Sequence, residues 1–200
     1  MERMARARAL IVRQRKEWGE ILTGFETRNR YAVFDADGRE IYLAAEVSRS
    51  LLARLFLGNW RPFEIRVVTP EGAPVLTIQR PFRWFFHEVS VSAASGQVLG
   101  SVKQRFSWLR RRFTVRDASG LELCELFGPI LHPWTFEIRE GERVLGRIVK
   151  RWTGMGKEVF TDADNFGVEF PHAWDVNRKA IFLAAVFLID FLYFERSGSN

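Results

Sequence analysis

Apolar and polar residues alternate along most of the chain, and Gly-bearing turn signals interrupt the alternation at regular intervals. Tyr31 and Val33 share one face, followed by Ile41, Leu43, Ala45 and Val47. Phe63, Ile65 and Val67 repeat the pattern, with Glu64 and Arg66 turned the other way. Phe113 and Val115 alternate with Arg112, Thr114 and Arg116, and Phe136 and Ile138 with Glu137 and Arg139. A period of two places successive side chains on opposite faces, as in a half-buried strand. Turn signals fall at Gly38, Gly72, Gly96, Gly120, Gly141 and Gly167. Gly72, Gly96 and Gly120 are evenly spaced, with room between them for two strands and a second connection. Those second connections read as loops at Arg80–Pro81, Ser107–Leu109 and Gly128–Pro133. With Leu10–Arg15 as the first strand the count reaches about twelve, the pattern of an all-β sandwich or barrel. Ser48–Leu57 breaks the alternation and reads as a short helix or an irregular crossing.

One segment has no polar face. Ala180–Phe194 is apolar throughout except for Asp190. At ~1.5 Å per residue its helix spans roughly 22 Å, short of the ~30 Å hydrocarbon core of a bilayer. An all-round apolar helix of that length suits the inside of a protein. A sheet with one apolar face needs a cover, and a sheet closed around this helix supplies one and leaves no exposed edge. The expected fold is therefore mainly β, a closed barrel of about twelve strands around a buried C-terminal hydrophobic helix at about 176–194. Asp175 is the first candidate N-cap, Asn177 the second. Asp190 would lie in or near the core, where a lone carboxylate is costly, so a hydrogen-bonding or basic partner is expected. The organisation reads as a basic lead at 1–9, one domain over 10–196 and a tail at 197–200.

Composition narrows the partners. The 200 residues carry a net charge of +6, which favours anionic lipid headgroups or nucleic acid. Arg3, Arg6, Arg8, Arg13, Arg15 and Lys16 crowd the first sixteen residues. That stretch reads as a solvated terminus or as an electrostatic tether to a membrane; a mitochondrial presequence ranks third because serine is lacking. No secretory signal is visible, since Leu10–Val12 is too short for one. Cys124 is the only cysteine, which excludes an internal disulfide and disfavours a Cys-based zinc site. His87, His132 and His172 lie in unrelated segments without metal-ligand spacing. There is no Gly-rich phosphate loop, nucleophile elbow or acid/base pair. No catalytic arrangement is apparent, so the chain does not read as an enzyme.

Several stretches resemble the phospholipid scramblases, a family with the tubby-like fold. They are ILTGFETRNRY (21–31), IYLAAE (41–46), RPF (61–63), QRPFR (79–83), FGP (127–129), GRIVKRWTG (146–154), FTDADNFGVEFP (160–171) and FLIDFLYFE (187–195). The resemblance implies a twelve-stranded barrel around a C-terminal helix, membrane-lipid binding, and ATP-independent exchange of phospholipids between leaflets. It implies a membrane-associated protein at the cytoplasmic face, with peripheral attachment favoured over a single C-terminal span. Alternatives are a non-transporting adaptor for anionic lipids or phosphoinositides, and a nucleic-acid-binding regulator. Animal members carry a Pro-rich N-terminal segment that has no counterpart here. Their palmitoylated cysteine cluster aligns with Arg83-Trp84-Phe85-Phe86-His87, which excludes acyl anchoring at that site. An aromatic and basic cluster can still meet a membrane interface, because Trp favours that level of the bilayer.

The resemblance also implies a calcium loop beginning at Asp162. Asp162 and Asp164 take positions one and three and Gly167 position six, with Phe166, Val168 and Phe170 offering at most backbone carbonyls. Ala173 stands where the closing acid belongs, Asp175 comes two residues late, and Glu169 is off the alternate register. The expected Ca²⁺ affinity is weak, and the competing reading is a β-hairpin whose Asx residues shape the turn. Basic residues meet aromatics twice: at Arg105, Trp108, Arg110, Arg111 and Arg112, and at Lys150, Arg151, Trp152 and Lys157. Cations flanking Trp suit an anionic membrane surface, suit single-stranded nucleic acid almost as well, and also occur on solvated strands.

Overall fold

The structure, a computed structural model, describes residues 1–15, 27–47, 62–108, 110–150, 165–171 and 173–194. The expected crossing at Ser48–Leu57 lies outside them. A short helix α1 (Glu2–Arg6) leads into strand β1 (Ala9–Gln14), one residue earlier than the alternation predicts. Eleven strands follow: β2 (Thr27–Asp35), β3 (Glu40–Val47), β4 (Phe63–Val68), β5 (Pro74–Arg80), β6 (Glu88–Ala93) and β7 (Val98–Arg105) come first. The second half is β8 (Arg111–Asp117), β9 (Glu122–Gly128), β10 (Thr135–Glu140), β11 (Arg143–Lys150) and β12 (Asn165–Glu169). Each pairs antiparallel with its neighbours, and β12 closes on β1, Leu10 facing Val168. The result is a closed twelve-stranded barrel.

Helix α2 (Val176–Tyr193) fills it. Asp175 caps the helix as expected, its carboxylate accepting from the amides of Asn177 (2.8 Å) and Arg178 (2.9 Å). Such a cap contributes about 1 kcal/mol and fixes where the chain enters the barrel. Every residue from Lys179 to Phe191 is buried, so the helix touches barrel on all sides. No helix among the described residues is long and apolar enough to cross a membrane. Gly100 of β7 lets the helix come close: a Cβ there would lie 2.5 Å from Ile181 Cδ1 and 2.3 Å from the Arg116 carbonyl oxygen. The anticipated partner for Asp190 is Tyr31, whose hydroxyl donates to it at 2.9 Å.

Three expectations need correction. In β3 the residues that meet the helix core are Tyr42 and Ala44, while Leu43 packs outside the barrel with Ile11, Ala32 and Phe34. Both faces of β3 are buried, so its alternation could not tell inside from outside. Gly167 sits mid-strand opposite Ile11 and Val149, and makes no turn. The basic lead is not a frayed end. Met4 is fully buried, and the Lys179 ammonium donates to the carbonyls of Ala5 and Ala7 (both 2.8 Å) and more loosely to Met4 (3.5 Å). A lysine buried in the first turn of α2 thus satisfies the carbonyls around the end of α1 and closes one mouth of the barrel.

Candidate membrane interface

Antiparallel closure sends alternate connections to opposite ends, and the two ends differ in chemistry. At the end where α2 begins, β2–β3, β4–β5, β6–β7, β8–β9 and β10–β11 are joined by tight turns built on Gly38, Gly72, Gly96, Gly120 and Gly141. Asp35, Asp37, Glu71, Asp117 and Glu142 lie in or beside them. This end also holds a groove of about 1140 Å³ whose walls mix arginines with acids, Arg3, Arg8 and Arg39 beside Asp35, Asp37 and Glu169. At the end where α2 finishes, the connections 81–87, 106–110 and 129–134 contain no acid. They present Trp84, Phe85, Phe106, Trp108, Ile130 and Leu131 to solvent, with Trp108 88% and Leu131 87% exposed. Large apolar side chains left exposed in three neighbouring loops are the signature of an interaction surface.

Beneath the rim the inward-facing positions switch from apolar to polar. Val12 gives way to Gln14, Val33 and Tyr31 to Asn29, Ala44 to Glu46, Ile78 to Arg80, Phe113 to Arg111 and Ile148 to Lys150. Three of them meet the rings at the end of α2. Arg80 lies over the ring of Phe191 (4.6 Å), Arg111 over Tyr193 (5.3 Å) and Lys150 over Phe194 (4.3 Å). Glu46 accepts from Asn29 at 2.9 Å. The Arg80 guanidinium also contacts His87 Nδ1, which requires the neutral imidazole with Nδ1 as acceptor. Burial, with Arg80 beside it, pushes the His87 pKa down to about 4. The His87 carbonyl accepts from Gln104 N at 2.7 Å, tying the first rim loop to β7.

The basic residues singled out by sequence separate into different roles. Arg111 donates to the Pro133 carbonyl at 2.6 Å, with longer contacts to those of Pro129 and His132, and so holds the third loop. Its burial lowers the guanidinium pKa, a shift the nearby Tyr193 opposes. Arg112 is locked to Glu125 through two nitrogens, one at 2.7 Å, and that hydrogen bonding raises its pKa. Arg105 approaches Glu122 at 4.0 Å. Arg110 is exposed, rests on the face of Phe127 (5.4 Å), and has no acidic partner among the described residues. Lys150 is buried, which removes it from the second basic cluster as a surface group. Arg151, Trp152 and Lys157 lie outside the described residues, as do Asp162 and Asp164.

The remaining positions of the calcium loop take another form. Phe166 and Val168 are buried in β12, and Phe170 follows it in the core against Trp174 and Phe182. With β1 on one side and β11 on the other, carbonyls along β12 are committed to ladders rather than turned toward one point. Ala173 is exposed between β12 and α2. Among the described residues no three His, Cys, Asp or Glu side chains come together as a metal site.

The third rim loop was missed by sequence reasoning. Ile130 and Leu131 are adjacent apolar residues inside a connection bounded by Pro129 and Pro133, where nothing can bury them; that mismatch was the available signal. Trp134 ends the loop, stacked on Phe194 at 5.3 Å between ring centroids.

Comparison with known proteins gives one consistent result. The sequence profile named Scramblase matches residues 1–196. Phospholipid scramblase 1 of Mus musculus is 36% identical over all of the chain and 65% of its own length. The human protein of the same name is 35% identical over all of the chain and 67% of its own length. Phospholipid scramblase 2 of Bos taurus is 35% identical over 98% of the chain and 71% of its own length. The chain thus spans about two thirds of the length of these relatives. No solved structure matches.

Proposed function

The chain belongs to the scramblase family, and from that premise we propose that it binds anionic phospholipid membranes peripherally and promotes downhill exchange of lipids between leaflets. The observation that carries the reading is the trio of acid-free connections 81–87, 106–110 and 129–134, which expose Trp84, Phe85, Phe106, Trp108, Ile130 and Leu131. Aromatic residues sit stably at the headgroup level, and each nearby basic residue adds on the order of 1 kcal/mol at an anionic surface. The cytoplasmic leaflet, rich in anionic lipid, is the fitting surface. No nucleotide is needed, because exchange runs down its own gradient.

The barrel interior is filled by α2, whose residues from Lys179 to Phe191 are buried. Exchange in this reading therefore happens where the rim disturbs the bilayer, not through a lumen. The same filled core favours a second reading, an anionic-lipid adaptor that moves nothing. Calcium is at most a weak accessory, held by Asp162 and Asp164. Two measurements separate the readings. Sedimentation with phosphatidylserine-containing and purely phosphatidylcholine vesicles should show binding only to the former, reversed by salt. Vesicles carrying fluorescent lipid should then lose their protected inner-leaflet signal to dithionite without ATP. Binding without that loss supports the adaptor; preference for single-stranded nucleic acid over anionic vesicles overturns both.

A further inference from the structure

We infer that the barrel docks end-on, with its three acid-free loops as feet and Arg110 as the headgroup contact within the Arg110–Arg112 run. This rests on the membrane reading above and specifies its geometry. Connections 81–87, 106–110 and 129–134 join β5–β6, β7–β8 and β9–β10, so antiparallel order places them at one end of a contiguous arc of wall. Their tips are Phe85, Trp108 and Leu131, exposed by 78%, 88% and 87%. Three separated apolar tips define a plane. Resting that plane on a bilayer stands the barrel on end, with the close of α2 toward the lipid.

The occupant follows from charge. No aspartate or glutamate lies within these three connections, which carry Arg83 and Arg110. Acid-free loops bearing arginine suit an acidic membrane surface. The feet are held rather than loose: Arg111 grips the carbonyls of the third loop, and the His87 carbonyl ties the first to Gln104. A preorganised foot loses little conformational freedom on insertion. Arg112 is bound bidentate to Glu125 and Arg111 is spent on carbonyls, which leaves Arg110, without an acidic partner among the described residues, to meet a phosphate.

The test uses the full chain with single introduced cysteines labelled by an environment-sensitive fluorophore; native Cys124 is buried, with its thiol pKa pushed up to about 12, and resists labelling. With phosphatidylserine-containing vesicles, labels at Phe85→Cys, Trp108→Cys and Leu131→Cys should shift to the blue together. Labels at Ser95→Cys and Ser119→Cys, on the opposite turns, should not move. In parallel, Arg110→Gln should weaken binding about five-fold, the factor for losing one basic contact, while Arg112→Gln stays within two-fold of the parent. A shift at Ser95 or Ser119, or at only one foot, overturns end-on docking even if the protein sediments with the vesicles. An Arg112→Gln loss equal to that of Arg110→Gln overturns the assignment of Arg110. A parent protein that fails to bind anionic vesicles removes the membrane reading itself.

Discussion

Gly100→Ala is the sharpest test of how tightly α2 is fitted. The added carbon would sit 2.3 Å from the Arg116 carbonyl oxygen and 2.5 Å from Ile181 Cδ1, each about 1 Å inside ordinary contact. Ile181 can retreat only into a core packed on every side, and Arg116 belongs to β8, hydrogen-bonded to its neighbours. Overpacking costs about 1–3 kcal/mol when side chains alone must move, and backbone must move here, so the expectation is about 3 kcal/mol. For a domain of this size that lowers the melting temperature by about 6–12 °C. Gly96→Ala in the same hairpin is the control. Gly96 has φ of +86° but nothing within 4 Å of the new carbon, so only the left-handed penalty of about 1–2 kcal/mol applies. Urea unfolding followed by tryptophan fluorescence gives both values. In the double variant Gly100→Ala/Ile181→Val, trimming the side chain should recover part of the loss and no more, because the carbonyl clash remains. A Gly100→Ala cost no larger than that of Gly96→Ala would refute the close approach of helix and wall.

Other outcomes follow from the same geometry. Ala184→Arg should abolish folding, since it puts an unpaired cation in a fully buried position; a soluble, cooperatively melting variant would contradict the buried helix. Tyr31→Phe removes the hydroxyl that donates to Asp190 and should cost about 1–3 kcal/mol in chemical denaturation, whereas an unchanged midpoint would mean that Asp190 does not depend on it. Stability should fall as pH drops from about 6.5 through about 4: His87 titrates lower in the folded chain than in the unfolded one, so the unfolded state takes up more protons in that window. His87→Gln should flatten that part of the pH profile, and an unaltered slope would place its origin elsewhere. Vesicle binding should persist in chelator, with calorimetry giving a Ca²⁺ dissociation constant of about a millimolar or weaker.

The strand count, the turns at Gly38, Gly72, Gly96, Gly120 and Gly141, and the helix were legible because they rest on local signals: period two, glycines at tight turns, and an apolar run with an aspartate before it. Asp190 was legible for a different reason, since one carboxylate in a greasy helix demands a partner wherever it lands. The fates of Arg110, Arg111 and Arg112 were not. Neighbours in sequence point to opposite faces of a strand, and what each meets there, the Pro133 carbonyl or Glu125, is fixed by chain segments more than ten residues away. The polar layer beneath the rim was hidden for the same reason. Gln14, Asn29, Glu46, Arg80 and Lys150 belong to five strands, and only barrel closure brings them to one level.

Closure by β1 against β12 also sets the order in which the chain can be completed during synthesis. Tyr31 waits for Asp190, 159 positions later, and β1 keeps an unpaired edge until Asn165–Glu169 has been made. At ~5–20 residues per second that interval is on the order of ten seconds. Throughout it the growing sheet has no helix to wrap, its apolar face is wet, and its open edge can pair with another copy. A wall assembled long before its core needs protection while it waits, so a holding chaperone at the ribosome is expected to decide the yield of this protein more than its final stability does.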